Sequence, residues 1–280
     1  MKKLGGVILL ASAVMSLSAS AETNTSTSSA QSIASDILSK TTSTTVIILG
    51  GPSVDNPASL RAPDDSVMTL DTVLSAGYKI TPEITAGVFG EVVLQPFLQR
   101  DYTFSDPAVK LSHSKLISSG TFNLATDLRV YPGLLGSTRN KDQYFAWRTT
   151  QNMNYEIPGT RLTVGSVSYI RQYVMGPQGA AVGSSGKPST DFLGYWGPNV
   201  NYQLTPKVAL TALYELYPVH KLGGGFGLAS ISQGYPMDFE PGVSIDVTDT
   251  FNVSPFLNIY PTDAKLANTT VNVTVVAKLF

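Results

Sequence analysis

The sequence predicts an all-β fold in which twelve antiparallel strands, joined up-and-down, close into a transmembrane barrel. Three observations predict it. Only 14% of the 280 residues are charged while 42% are hydrophobic, against about 25% charged in an ordinary soluble protein, so the chain lacks the charge to coat a soluble surface. From Val67 onward, runs of about ten residues alternate apolar with polar or small side chains, the period of strands with two unlike faces. A recurrent turn signal separates the runs: Tyr78-Lys79-Ile80-Thr81-Pro82, Tyr155-Glu156-Ile157-Pro158-Gly159 and Tyr202-Gln203-Leu204-Thr205-Pro206, with a looser copy at Ile245-Asp246-Val247-Thr248-Asp249. Each supplies turn-forming residues between two alternating runs, as a tight hairpin requires.

Residues 1–21 read as a signal peptide. Met1-Lys2-Lys3 is a positive start, Val7 to Leu17 a short apolar core, and Ala19-Ser20-Ala21 a small-x-small cleavage pattern, with cleavage after Ala21. The apolar core is too short to span a bilayer as a helix, and no later run approaches the required ~20 residues. Residues 22–43 form a Ser/Thr-rich tail in which Ile33, Ile37 and Leu38 stand at helical spacing, permitting a short amphipathic helix. The barrel is then residues 44–280. Loss of Lys2 and Lys3 takes the net charge from -1 to -3, which leaves no basic field for nucleic acid. Absence of cysteine excludes disulfides, thiolate metal sites and cysteine nucleophiles.

In order, the first strand, 44–51, rests on Val46-Ile47-Ile48-Leu49 stopping at Gly50-Gly51. The second, 67–80, and third, 83–95, flank the first turn signal, and the third ends at Gln95-Pro96. The fourth, 108–117, and fifth, 121–131, flank Ile117-Ser118-Ser119-Gly120, and the fifth stops at Tyr131-Pro132. The sixth and seventh, 143–157 and 160–174, and the eighth and ninth, 191–204 and 207–217, surround the next two turns, the ninth closing at Tyr217-Pro218. The last three are 237–247, 250–260, closing at Tyr260-Pro261, and 269–280. Proline at these ends removes a ladder donor. Short turns thus alternate with long loops on the opposite side, the asymmetry of an outer-membrane barrel, and twelve satisfies its even parity. Dropping 44–51 and merging 108–117 with its neighbour gives ten strands as the alternative.

The apolar residues keep to one face. Val208, Leu210, Ala212, Tyr214 and Leu216 oppose Ala209, Thr211, Leu213 and Glu215; Phe251, Val253, Leu257 and Ile259 oppose Asn252, Ser254, Phe256 and Asn258. The apolar face meets lipid, and Tyr78, Tyr155 and Tyr202, just before the short turns in the same phase, form an aromatic girdle.

Leader, alternating strands, turn and loop asymmetry and a final strand ending in Phe280 together resemble Gram-negative outer-membrane β-barrel proteins of porin-like kind, over nearly the whole mature chain. The resemblance implies location in the outer membrane, contact with its lipid, and reading of the C-terminal strand and Phe280 by the barrel-assembly machinery. In this chain Val271, Val273, Val275, Ala277 and Leu279 form the apolar face, and Phe280 falls on the other.

Function in a barrel is read from inward residues and loops. At mid-height the inward positions Ser75, Gly77, Gly87, Ala125, Asn152, Gly165, Asn199, Asn201, Thr211 and Ser254 are small or neutral polar, leaving room for water. Nearer the loops, inward phase brings Asp71, Glu91, Arg129, Arg148, Arg171, Glu215, Glu240 and Asn258 to the lumen mouth as a mixed-sign ring without strong preference for either ion sign. Two Gly-rich loops, Gly176 to Thr190 and His220 to Pro236, can enter the lumen or meet a partner outside. No catalytic group is expected: strand alternation turns Ser112 and Ser114 away from His113, His220 sits in a loop without a patterned acid, and Asp64-Asp65 lies in an early loop. Asp238, Glu240 and Asp246 are expected to line the lumen, with no metal and no cofactor, since calcium-loop spacing is absent. The sequence thus points to a passive channel for small hydrophilic solutes that is not an enzyme. The competing expectation is a structural or surface-contact barrel with partner-binding loops and a lumen closed by the segment around Ile33 to Leu38.

Overall fold

The computed structural model describes residues 41–49, 70–95, 101–139, 142–177, 190–221, 224–228, 237–261, 264 and 269–278. The leader, nearly all of the tail, most of both Gly-rich loops, Asp64-Asp65 and Phe280 lie outside the described residues. The strands are β1 (Thr41–Leu49), β2 (Leu70–Lys79), β3 (Ile84–Gln95), β4 (Asp101–Phe104), β5 (Ala108–Ser119), β6 (Phe122–Pro132), β7 (Gln143–Glu156), β8 (Leu162–Met175), β9 (Thr190–Thr205), β10 (Val208–Glu215), β11 (Pro218–Lys221), β12 (Phe226–Leu228), β13 (Asp238–Thr248), β14 (Phe251–Asn258) and β15 (Thr270–Lys278).

Twelve of them make a closed antiparallel ring in the order β1, β2, β3, β5, β6, β7, β8, β9, β10, β13, β14, β15. The ring shuts where β15 returns to β1, from Thr44 opposite Lys278 to Leu49 opposite Val273. This is the predicted architecture, and each predicted strand corresponds to one ring strand. Closure leaves no ring strand with an unpaired edge, which an open sheet of this size would have to protect. Hairpin turns join the strands at one end. At the first of them, Thr81 Oγ1 accepts from the backbone N–H of Glu83 at 3.2 Å and of Ile84 at 3.0 Å. At the second, Gly120 has φ 56°, a left-handed conformation that favours glycine over residues with a side chain.

The long-loop end holds more order than alternation predicts. β4 folds back onto β3, β11 pairs with β9, β12 pairs with β11, and one helical turn, α1 (Gly136–Arg139), follows β6. β10 ends at Glu215, just before Tyr217-Pro218, as the sequence expects, but pairing with β9 continues beyond it. Leu216 exchanges two backbone bonds with Trp196, at 3.0 and 2.9 Å, and the chain resumes as β11 with Val219 opposite Leu193. The proline ring has room because residue 194 is glycine: a Cβ there would lie 2.6 Å from Pro218 Cγ. His220, expected in a loop, accordingly stands in β11.

Burial follows the alternation. On β6, Leu128 and Val130 are exposed at 44% and 41% while Arg129 between them is 9% exposed. The outer face carries exposed apolar side chains such as Leu74, Val109, Ile170, Val200 and Leu210, whereas Ala108, Tyr131 and Ala146 are buried against Phe89 and Tyr173 inside. A second buried pair, Leu193 and Val219, packs with Tyr169, Tyr173 and Tyr217.

Candidate functional site: the upper lumen

Ladder register sets the inward side chains of β5 to β8 in rows. Lys110 is opposite Arg129, Arg129 opposite Arg148, and Arg148 opposite Arg171, so one row crosses four adjacent strands carrying four cations. The next row toward the long loops is apolar: Phe89 is opposite Ala108, and Tyr131, Ala146 and Tyr173 continue it. On the other side of the cationic row, Asp127 is opposite Thr150, Thr150 opposite Tyr169, and Tyr169 opposite Tyr195.

Rings from these flanking rows hold the guanidinium groups. Arg129 lies 4.2 Å from the centroid of Phe89, Arg148 lies 4.1 Å from Tyr169, and Arg171 lies 4.3 Å from Tyr131 and 4.9 Å from Tyr173. Each such contact is worth about 0.5 to 2 kcal/mol, more as water is excluded, and it fixes the cation while leaving its N–H edge for other partners. Arg129 also donates from Nε and Nη2 to the two oxygens of Asp127, at 2.8 and 3.0 Å. Arg148 donates from Nε to Thr150 Oγ1 at 3.1 Å.

Carboxylates occupy other parts of the ring. Asp71 and Glu91 lie on the neighbouring strands β2 and β3. Glu215 is opposite Asp238 on β10 and β13, and Glu240 stands two residues further along the same face; these three carboxylates lie within 4.8 Å of one another. Tyrosines lead from the cations to this cluster: Tyr169 stacks on Tyr195 at 5.0 Å and Tyr195 meets Tyr217 at 5.2 Å. Tyr195 Oη donates to Glu215 Oε1 at 2.7 Å, and Tyr217 Oη donates to Glu215 Oε2 at 2.6 Å. Gly197 makes the first bond possible, because a Cβ there would collide with the Tyr195 ring.

No family model matches the sequence, and no curated protein matches it. Among solved structures, the chain is similar to an outer-membrane channel from Pseudomonas putida F1, with TM-score 0.53 and 11% identity over 85% of this chain and 95% of that one. It is similar also to the NanC porin, with TM-score 0.50 and 8% identity over 84% of this chain and 100% of that one. The fold is that of the outer-membrane channels.

Within this porin-like barrel, the eight residues expected at the mouth fall into groups. Arg129, Arg148 and Arg171 form the cationic row with Lys110. Asp71 and Glu91 are one acidic group, Glu215 and Glu240 another, and Asn258 joins the latter by donating from Nδ2 to Asp238 Oδ2 at 3.0 Å. The ring is thus sorted by sign, not interspersed. Tyr78, Tyr155 and Tyr202 stand beside the short turns, 43%, 41% and 45% exposed on the outer face. None of the ten small mid-height residues is buried; several buried inward side chains, among them Arg129, Tyr131, Ala146, Leu193 and Asp238, lie nearer the loops, while Ala209 is buried beside a short turn.

Several participants escape sequence reading. Lys110, Phe89, Tyr169, Tyr173 and Tyr195 belong to the site, and inward parity was the signal that could have found them. Asp246 does not join Asp238 and Glu240. It lies six residues beyond Glu240 toward the turn, where Asn252 Nδ2 donates to its Oδ1 at 2.8 Å. His220 does have an acid, since its Nδ1 lies 2.6 Å from Asp191 Oδ1, with the Phe226 ring 4.7 Å from the imidazole.

Proposed function

We propose that the protein is an outer-membrane channel through which small hydrophilic solutes pass by diffusion. The observation that carries this reading is the change along the lumen, from small accessible side chains at mid-height to larger, more buried charged and aromatic ones nearer the loops. That level is lined by fixed charges of both signs. The outer face supports a bilayer setting, because exposed apolar side chains and few charges suit lipid as the solvent. Neither chemistry nor a cofactor is required for such passage.

The upper lumen then acts as the filter. Three of the cations are fixed against tyrosine or phenylalanine rings, and β5 is six strands from β13 around the ring, so a solute meets cations on one side and carboxylates on another. Such an arrangement orients dipolar solutes and does not by itself reject either ion sign. Refolded protein in a planar bilayer is expected to give discrete conductance steps. With Arg129→Cys or Glu91→Cys, unique thiols in a chain without cysteine, a bulky thiol reagent is expected to cut the conductance several-fold. Absence of any steps counts against a channel and favours a closed surface-contact barrel; steps that are unchanged by labelling leave the channel but remove the filter.

A further inference from the structure

Glu215 ends β10, while Asp238 and Glu240 open β13, and β14 adds Asn258 beside them. Both oxygens of Glu215 already accept tyrosine O–H groups, so this side chain is held in one orientation. Asp238 is only 4% exposed. Its Oδ2 accepts from Asn258, but its Oδ1 is shut off from water with no hydrogen-bond partner, and Asn258 Oδ1 is in the same condition. Among the described residues Arg129 pairs with Asp127 and the His220 imidazole contacts Asp191, and neither base reaches the three carboxylates.

Three acidic groups at such spacing repel one another, and an unpaired buried carboxylate oxygen is among the costliest groups a protein can hold. What they lack is a positive partner that accepts oxygen ligands from several directions. Hard divalent cations do so. Oxygens on opposite sides of Ca²⁺, at about 2.4 Å each, stand about 4.8 Å apart, whereas Mg²⁺ at about 2.1 Å draws them to about 4.2 Å and keeps more of its waters. We propose that Glu215, Asp238, Glu240 and the side-chain carbonyl of Asn258 bind one calcium ion in the upper lumen, with Tyr195 and Tyr217 positioning Glu215. The site is built from three paired strands and does not depend on whether the barrel conducts.

The test uses the full barrel, refolded in detergent and stripped with chelator, with Tb³⁺ as the probe. Tyr195 and Tyr217 touch a ligand, so tyrosine excitation is expected to give saturable terbium luminescence with one ion per chain. Ca²⁺ should displace the ion at concentrations at least tenfold below those of Mg²⁺. Glu240→Gln, which preserves size and leaves both tyrosine bonds in place, is expected to weaken terbium binding at least tenfold, while Glu83→Gln at a hairpin turn leaves it unchanged. Should Glu240→Gln fail to refold, Asn258→Leu reads the same site with the charges intact. Calcium titration calorimetry on wild type, where no variant is needed, is expected to show the same single site. Lack of saturable luminescence and of calcium heat overturns the proposal, as does equal affinity in wild type and Glu240→Gln; shared protons would then neutralise the cluster.

Discussion

Arg171 shows what inward parity can and cannot reveal. Its distance from the nearest short turn puts it in the upper lumen from the sequence, and Tyr173 stands two residues along its own strand, but its contact with Tyr131 depends on β6, two strands away. Asp106 is a clearer case of a residue whose role is invisible in sequence. It sits between β4 and β5, 6% exposed, and accepts the backbone N–H of Leu134 at 3.0 Å and of Leu135 at 2.9 Å, as well as the Thr138 hydroxyl. One carboxylate thereby ties the loop after β6 to the loop after β4. Asp106→Ala leaves two N–H groups without their acceptor, a local cost of about 1 to 3 kcal/mol. Limited proteolysis between residues 133 and 142 is expected to speed up about tenfold or more, while the barrel's heat-induced mobility shift stays as it was, because ring strands do not use this carboxylate.

At the scale of the element, period-two alternation and turn chemistry were enough to find all twelve ring strands, since both are local properties of the chain. Register was less accessible. From the two-residue turn after β5, an unbroken ladder would bring Lys110 opposite Tyr131; two extra residues between His113 and Ile117 shift it to Arg129. That irregularity completes the cationic row, and no turn signal marks it. The extra strands β4, β11 and β12 were missed for a related reason, because three or four residues carry too little alternation to be read. The strand 44–51 was the one on which closure hinged, and β1 does hold both seams, pairing with β15 and β2. Val46→Pro would remove a ladder donor and force a ring into the pairing with Val276, at about 3 kcal/mol or more. The expected result is loss of the heat-modifiable band on electrophoresis, whereas Thr41→Pro, at the first residue of the strand, is expected to refold.

For the molecule as a whole, the low charge content is explained by where charge is allowed. The outer surface of the ring is apolar, and much of the charge lies in the upper lumen, the turns and the loops. This arrangement was legible from composition and alternation together; the sorting of charge by sign around the ring was not, because it depends on how distant strands are staggered. A depth profile tests the bilayer setting. Val88, four residues beyond the start of β3, next to mid-height Gly87 and 52% exposed, is expected near the middle of the apolar band, and Leu204, beside a short turn and 40% exposed, near its edge. Arginine at Val88 is expected to cost about 2 to 4 kcal/mol in lipid vesicles and at Leu204 about 0 to 1, measured by reversible denaturant unfolding. Equal penalties at the two depths would argue against a bilayer around this face.

The pairing of Thr44 with Lys278 has one more consequence. A ring closed by the pairing of β15 with β1 has no geometric beginning. Until the final strand has emerged, β1 has lost one of its two neighbours, so the ring cannot be completed piecemeal during synthesis. The chain must be kept from other strands until its end arrives, and the exposed apolar face makes that waiting period the most hazardous part of its history.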